Sequence, residues 1–597
     1  MVDIARDPRW GLIAEGAGED PFLGMAMARA RVRGFQSADL ETGRRVACCP
    51  KHYVGYGAAE GGRDYNTVDI SERALREVYL PPFKAAFDAG AGSTMSAFNE
   101  IGGIPGTCNL FTLSTVLRDE WGWPGVVLSD FNAIGELVQH GVATNLKDAA
   151  RLAIMAGVDV DMDSGAYARH LAELVEEGTV PIEKVDEAVR RVLRLKFALG
   201  LFENPYVDEA LEQKIILRED YHALALEVAQ QSIVLLKNEA NCLPLQADSK
   251  RIALIGPLAR NRSDLLGTWA VTGQAADVET LLDGLGVYVN ESRLTYVQGC
   301  RITGDEDLDI PDAVAVAQEA DVVIMALGES ADMSGEAHSR THLGLPGQQQ
   351  ELLDAVAATG KPVVCVLLCG RPLVASHIAD RVTALLVAWH GGIRTGRAVA
   401  DILFGTANPS GKLTASWPRT EGQIPVYYAH KNTGRPAESS GTKQFFEPFR
   451  STYLDEPNDP LFPFGFGLSY TSFTYENLTV ETPVIKPDGT CDVSVTVKNS
   501  GKLAGTEVVQ LYVRDLVGSV TRPVKELKGF QRVELQPGEA RRVRFEISAS
   551  DLGFIGPDML YRVEPGAFKV WIGPDSTGGL EGDFEIQHES ISPKHCT

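Results

Sequence analysis

Short apolar runs alternate with amphipathic stretches from the start of the chain. The runs fall at 2–5 (VDIA), 46–49 (VACC), 94–97 (TMSA), 126–129 (VVLS) and 158–162 (VDVDM). Strand-like runs interleaved with helical periodicity predict an α/β domain with parallel strands. Several runs end on polar residues: Lys51-His52, Asn99, Asp130, and Asp161 with Asp163. A (β/α)8 barrel carries its chemistry at the C-terminal ends of its strands, so these endings are the first candidate site. Five strands fall short of eight, and the expectation is an incomplete (β/α)8-type barrel over 1–202.

The pattern then changes twice. After a polar linker at 203–225, continuous apolar runs recur at 251–256, 321–327, 362–368 and 384–389, with a helical stretch at 347–359. Strands apolar on both faces predict an α/β sandwich over 226–417. Residues 418–472 are rich in Pro, Gly, Tyr and Phe and read as an irregular connecting segment. From 473 to 597 the period falls to two, in VSVTVKNSG, VVQLYVRD, VRFEIS and FKVWIG. Turn signals such as Asn499-Ser500-Gly501 separate these runs, which predicts an all-β sandwich of immunoglobulin or fibronectin III type.

Composition narrows the function classes. The chain has 597 residues and a formal net charge of −24. So acidic a surface repels phosphate backbones and anionic lipid heads, which excludes nucleic acid and membrane surfaces as partners and favours a neutral substrate. No apolar run approaches the ~20 residues that span a bilayer. The first ten residues, MVDIARDPRW, lack a basic region and an apolar core of the secretory kind. Nine cysteines without paired CxxC spacing predict buried free thiols, and no metal or other cofactor is expected.

The motifs converge on one family. DPRWG at 7–11, GEDPFLG at 18–24, KHYVGYGAAEGGRDYN at 51–66, MSAFNEIGGIP at 95–105 and LRDEWGWPGVVLSDF at 117–131 resemble family 3 glycoside hydrolases, in their bacterial β-glucosidase-like branch. AGVDVDM at 156–162, GEAHSRTHLGLPGQQ at 335–349, LFGTANPSGKL at 403–413 and FPFGFGLSYTSF from 462 continue the match in the family's order. The resemblance implies a retaining exo-acting β-glycosidase, foremost a β-glucosidase, that needs no cofactor. Its small-molecule or oligosaccharide substrates are β-glycosides. It implies Asp130 as nucleophile and Glu336 as acid/base, with Glu329 a structural carboxylate in the same loop. Lys51 and His52 would bind sugar hydroxyls, Met95 would wall the subsite, and Asp64 would brace its loop or touch sugar. Asp130 also has a plain local reading, as the cap of the helix-like AIGELV that follows. Phe131 and Trp269 are candidate platforms for the apolar faces of a sugar ring, and Trp389 is a third. His338 and Arg340 would brace the Glu336 loop.

Two features depart from the pattern. Leu12 stands where relatives carry an Arg that contacts sugar, and Leu cannot make directed, charge-assisted bonds. Phe98 stands where some relatives carry Tyr. The resemblance also places the first residues inside the family's first domain, with further barrel strands expected upstream, and relatives are often periplasmic or secreted. Two alternatives stay open: a β-xylosidase or arabinofuranosidase of the same family, and a decayed, non-catalytic sugar-binding protein. A homodimer is likewise left open.

Overall fold

The computed structural model describes residues 1–36, 46–246, 250–304, 309–437 and 447–587. They form two compact units, Met1–Ile216 and Leu217–Thr597. No helix among them is long and apolar enough to cross a membrane.

In the first unit the five expected runs lie side by side in chain order, but only two make a regular ladder. Strands β1 (Ser93–Met95) and β2 (Val126–Leu128) pair in parallel, with Thr94 opposite Val127. The run at 158–162 joins β2 through a single parallel bridge, Leu128 to Val160. The runs at 2–5 and 46–49 are not strands. They dock through isolated bonds, from Val2 N–H to Lys51 O (3.0 Å), Ser93 N–H to Cys48 O (3.2 Å) and Met95 N–H to Pro50 O (3.3 Å). Each is only four residues long and meets its neighbours at scattered amides, so its backbone groups are satisfied without a continuous register. Helices Pro21–Gln36, Leu80–Asp88, Leu146–Ala156 and Ile182–Ala198 accompany these runs. The core between them holds Ile4, Phe83, Leu113, Val127, Ile154 and Val158, all at most 2% exposed.

The second unit is built on a six-stranded sheet. Its strands are β3 (Val234–Asn238), β4 (Ile252–Ile255), β5 (Leu294–Val297), β6 (Val322–Gly328), β7 (Val363–Leu368) and β8 (Ala384–Val387). Their spatial order is β3-β8-β7-β6-β4-β5, with only the edge strand β3 antiparallel. Alternate residues feed two cores. Leu254, Ile324 and Val366 enter one, while Ala253, Val323, Met325 and Cys365 enter the other. That double burial is why these strands read as unbroken apolar runs. The two edge strands are less uniformly buried, and the hydrophobic pattern did not single them out.

The same unit ends in two further sheets. One joins β9 (Phe473–Val480), β11 (Thr490–Asn499) and β14 (Ala540–Ser548). The other joins β10 (Val484–Ile485), β12 (Gly505–Asp515), β13 (Glu526–Leu535), β15 (Gly566–Gly573) and β16 (Leu580–Ile586). Their inward residues, among them Val493, Val495, Leu511, Phe545 and Val570, share one core, as the period of two requires. Part of the expected irregular segment, at 438–446, lies outside the described residues. The eight described cysteines are free thiols.

Candidate active site

Asp130 follows β2 and Ser129 directly. Ser129 is fully buried and locked, its N–H bonded to Val160 O (2.9 Å) and its Oγ accepting the Met162 N–H (2.8 Å). The chain therefore leaves the strand at a fixed point, and Asp130 is only 7% exposed there. One carboxylate oxygen, Oδ1, accepts the N–H of Phe131 at 2.7 Å. The other, Oδ2, lies 3.5 Å from His52 Nε2. The N-cap position of the short helix Ala133–Glu136 is held by Asn132, in the left-handed region at φ 54° and without a side-chain cap bond, and not by Asp130. Glu136 sits close enough for its carboxyl to be pushed up, chiefly by burial and further by the charge of Asp130, with His140 opposing.

His52 is held from the far side by a residue the sequence pattern did not flag. Asp3 Oδ2 accepts the backbone N–H of His52 at 2.7 Å and stands 3.2 Å from its Nδ1. Both residues are 2% exposed. Asp3 interrupts the apolar run VDIA, and a carboxylate inside such a run was the available signal. The neighbouring strand fixes the level of the pair, since Tyr53 N–H donates to Met95 O at 2.7 Å. Met95, at the end of β1, and Lys51, both half-buried, thus accompany His52. Gly57 lets the following loop lie against residues 2–10, because a Cβ there would stand 2.1 Å from Ile4 O.

Beyond His52 the contacts turn aromatic. Its ring meets Tyr56 edge-on at 4.9 Å, and Tyr56 meets Trp10 at 5.3 Å. Trp10 Nε1 donates to Asp64 Oδ1 at 3.0 Å, a contact that braces the loop carrying Asp64. Phe98 is buried between Tyr56 and Tyr65, at 5.9 and 5.2 Å. Leu12 is 1% exposed and belongs to the same apolar cluster as Trp10, Tyr56 and Phe98. Phe131, by contrast, is 60% exposed beside Asp130.

Glu336 and Trp269 belong to the second unit. The loop after β6 is organised around Glu329, which is fully buried and lies 2.5 Å from Arg340 and 3.2 Å from Arg371. Arg371, also fully buried, donates to the carbonyls of Met333 and His338, and Arg340 donates to Gly344 O at 3.1 Å. The two guanidiniums thus strap the loop on both sides of Glu336, which is half-buried. Gly335 adopts φ 98°, and a Cβ there would lie 2.3 Å from Thr268 Oγ1. That close approach sets the Glu336 loop against the segment carrying Trp269, which is 55% exposed. Trp389 is committed elsewhere, its Nε1 bonded to Ser232 O at 3.0 Å.

The loops after β4, β5 and β6 also border an open cleft of about 540 Å³, lined by Asn261, Asp264, Gln298, Arg301, Ser330 and Asp332 among others. Strand β4 lies between β5 and β6, so the chain reverses direction across the sheet at this point.

Comparison with known proteins agrees with this architecture. Residues 1–195 match the glycosyl hydrolase family 3 N-terminal domain, 233–470 the family 3 C-terminal domain, and 507–576 a fibronectin type III-like domain. A periplasmic β-glucosidase of Salmonella typhimurium is 42% identical over 98% of this chain and 79% of its own length. A β-xylosidase of Formosa agariphila is 39% identical over 96% of the chain and 80% of its own length. The crystal structure of a β-glucosidase from Listeria innocua in complex with isofagomine superposes with a TM-score of 0.94 at 41% identity, covering 98% of this chain and 81% of that one. The three matched domains follow one another along the chain, and with relatives this similar the chain belongs to glycosyl hydrolase family 3, whose members are glycoside hydrolases.

Proposed function

We propose that the protein is a retaining exo-acting β-glucosidase that releases terminal, non-reducing β-linked glucose through a covalent intermediate on Asp130. The observation that carries this reading is the setting of Asp130. It is a mostly buried carboxylate at the end of a parallel strand, with one oxygen on the Phe131 N–H and the other facing His52. Retaining glycosidases use one ionised carboxylate as nucleophile and one protonated carboxyl as acid.

In this reading Asp130 attacks the anomeric carbon as the bond to the leaving oxygen breaks, and Glu336 gives its proton to that oxygen. Water then attacks the same carbon, Glu336 takes a proton from it, and the ester to Asp130 is released. Lys51 and His52 bind hydroxyls of the sugar being cleaved, Met95 walls it, and Asp64 holds the loop that carries them. Phe131 and Trp269 offer exposed rings to the apolar faces of the substrate. A periplasmic or secreted location accords with the likeness to the Salmonella enzyme.

A β-xylosidase is the second reading, favoured by the 39% identity to the Formosa enzyme. The test is steady-state hydrolysis of aryl β-glucoside, xyloside, galactoside and N-acetylglucosaminide by the wild type, Asp130→Asn and Glu336→Gln. The glucoside is the preferred substrate and both variants lose its turnover. Preference for the xyloside selects the second reading, and turnover that survives Asp130→Asn overturns the assignment.

A further inference from the structure

We propose that Asp3 is a positioning residue for the nucleophile, acting through His52. The inference rests on Asp130 being the nucleophile. An attacking carboxylate must present one oxygen to the anomeric carbon along a narrow approach, and small displacements are costly. The Phe131 N–H fixes Oδ1 of Asp130, and His52 Nε2 lies 3.5 Å from Oδ2. An imidazole that fixes another group must itself be fixed at its second nitrogen, as in the support of metal-binding histidines.

Asp3 supplies that support with one oxygen. Its Oδ2 takes the His52 backbone N–H at 2.7 Å and lies 3.2 Å from Nδ1, so it anchors main chain and ring together. Tyr56 closes one side of the ring edge-on. Burying a carboxylate costs free energy unless its partners compensate, and Asp3 is 2% exposed within an otherwise apolar run. Asp3 and Asp130 thus stand at the two ring nitrogens of His52, 3.2 and 3.5 Å away. His52 then holds the nucleophile in addition to any contact it makes with sugar.

The experiment measures covalent inactivation by 2,4-dinitrophenyl 2-deoxy-2-fluoro-β-glucoside, with the label mapped by peptide mass. Wild type, Asp3→Ala, Asp3→Asn, His52→Ala and the two double variants are compared. Asp3→Ala slows the limiting rate of labelling by about 10–100-fold, the usual effect of losing a supporting partner, with the inhibition constant little changed. Asp3→Asn keeps an acceptor for both contacts and recovers part of the rate. In the His52→Ala background neither change at Asp3 slows labelling further, as expected for residues acting through one another. Should Asp3→Ala fail to fold, the Asp3→Asn comparison in the two backgrounds carries the same test. Unchanged labelling in the Asp3 variants, or equal slowing with and without His52, overturns the proposal. Wild-type label on a residue other than Asp130 instead overturns the assignment of the nucleophile.

Discussion

Glu329 and Arg371 form an ion pair at 3.2 Å in which neither side chain is exposed to any degree. Removing one member of such a pair leaves an uncompensated buried charge, at a cost of about 3–5 kcal/mol. Arg371→Met also releases the carbonyls of Met333 and His338, which flank Glu336. The variant is expected to lose stability in denaturant titration and, where still folded, to lose kcat. Unchanged stability would show that Arg340 alone holds Glu329.

Leu12 packs with Trp10, Tyr56 and Phe98 at 1% exposure. A guanidinium at this position would be carried into an apolar cluster, and burying a charge there is costly. Leu12→Arg therefore lowers the melting temperature of the unliganded protein. A rise in kcat/KM without loss of stability would mean that the site admits the Arg expected from relatives.

Gly335 is required twice, for its φ of 98° and for its approach to Thr268. Gly335→Ala must displace either Thr268 or the Glu336 loop, since a Cβ would lie 2.3 Å from Thr268 Oγ1, and the φ of 98° adds strain to the loop itself. The expected result is a loss of kcat, largest for aglycones that need protonation and smallest for activated aryl groups. Equal loss for both leaving groups would argue against Glu336 as the acid.

Burial, reinforced by Asp130, raises the carboxyl of Glu136 above its ordinary value. A group raised in the folded state stabilises the fold at low pH and loses that contribution as pH climbs through its folded value. Glu136→Gln stays neutral throughout. Its melting temperature should gain on the wild type as pH rises from about 4.3 towards neutrality. A difference that stays constant across that window would contradict this account.

Much of the candidate site was legible because apolar runs end in polar residues. Asp130 and Lys51-His52 stand out as polar residues after apolar runs, and the loop after β6 displays Glu329, Glu336 and Arg340 in sequence. Asp3 was not legible in that way, because it lies within a run and its partner is 49 positions away. The short runs at 2–5 and 46–49 looked like strands, yet regular pairing needs a neighbour in register, and the second run is not buried, with Val46 64% exposed. The edge strands β3 and β5 escaped for the converse reason, since edges are less uniformly apolar. Arg371 gave no pattern at all, as a buried cation is recognised only by the carboxylate it meets.

The most direct test of the central claim is the site and stereochemistry of covalent turnover. Incubation with a 2-deoxy-2-fluoro-β-glucosyl donor, followed by peptide mass mapping, should place a single fluoroglucosyl group on Asp130, and NMR of the first product from an aryl β-glucoside should show the β-anomer. A label on another residue, or an α-anomer formed without any label, would contradict it.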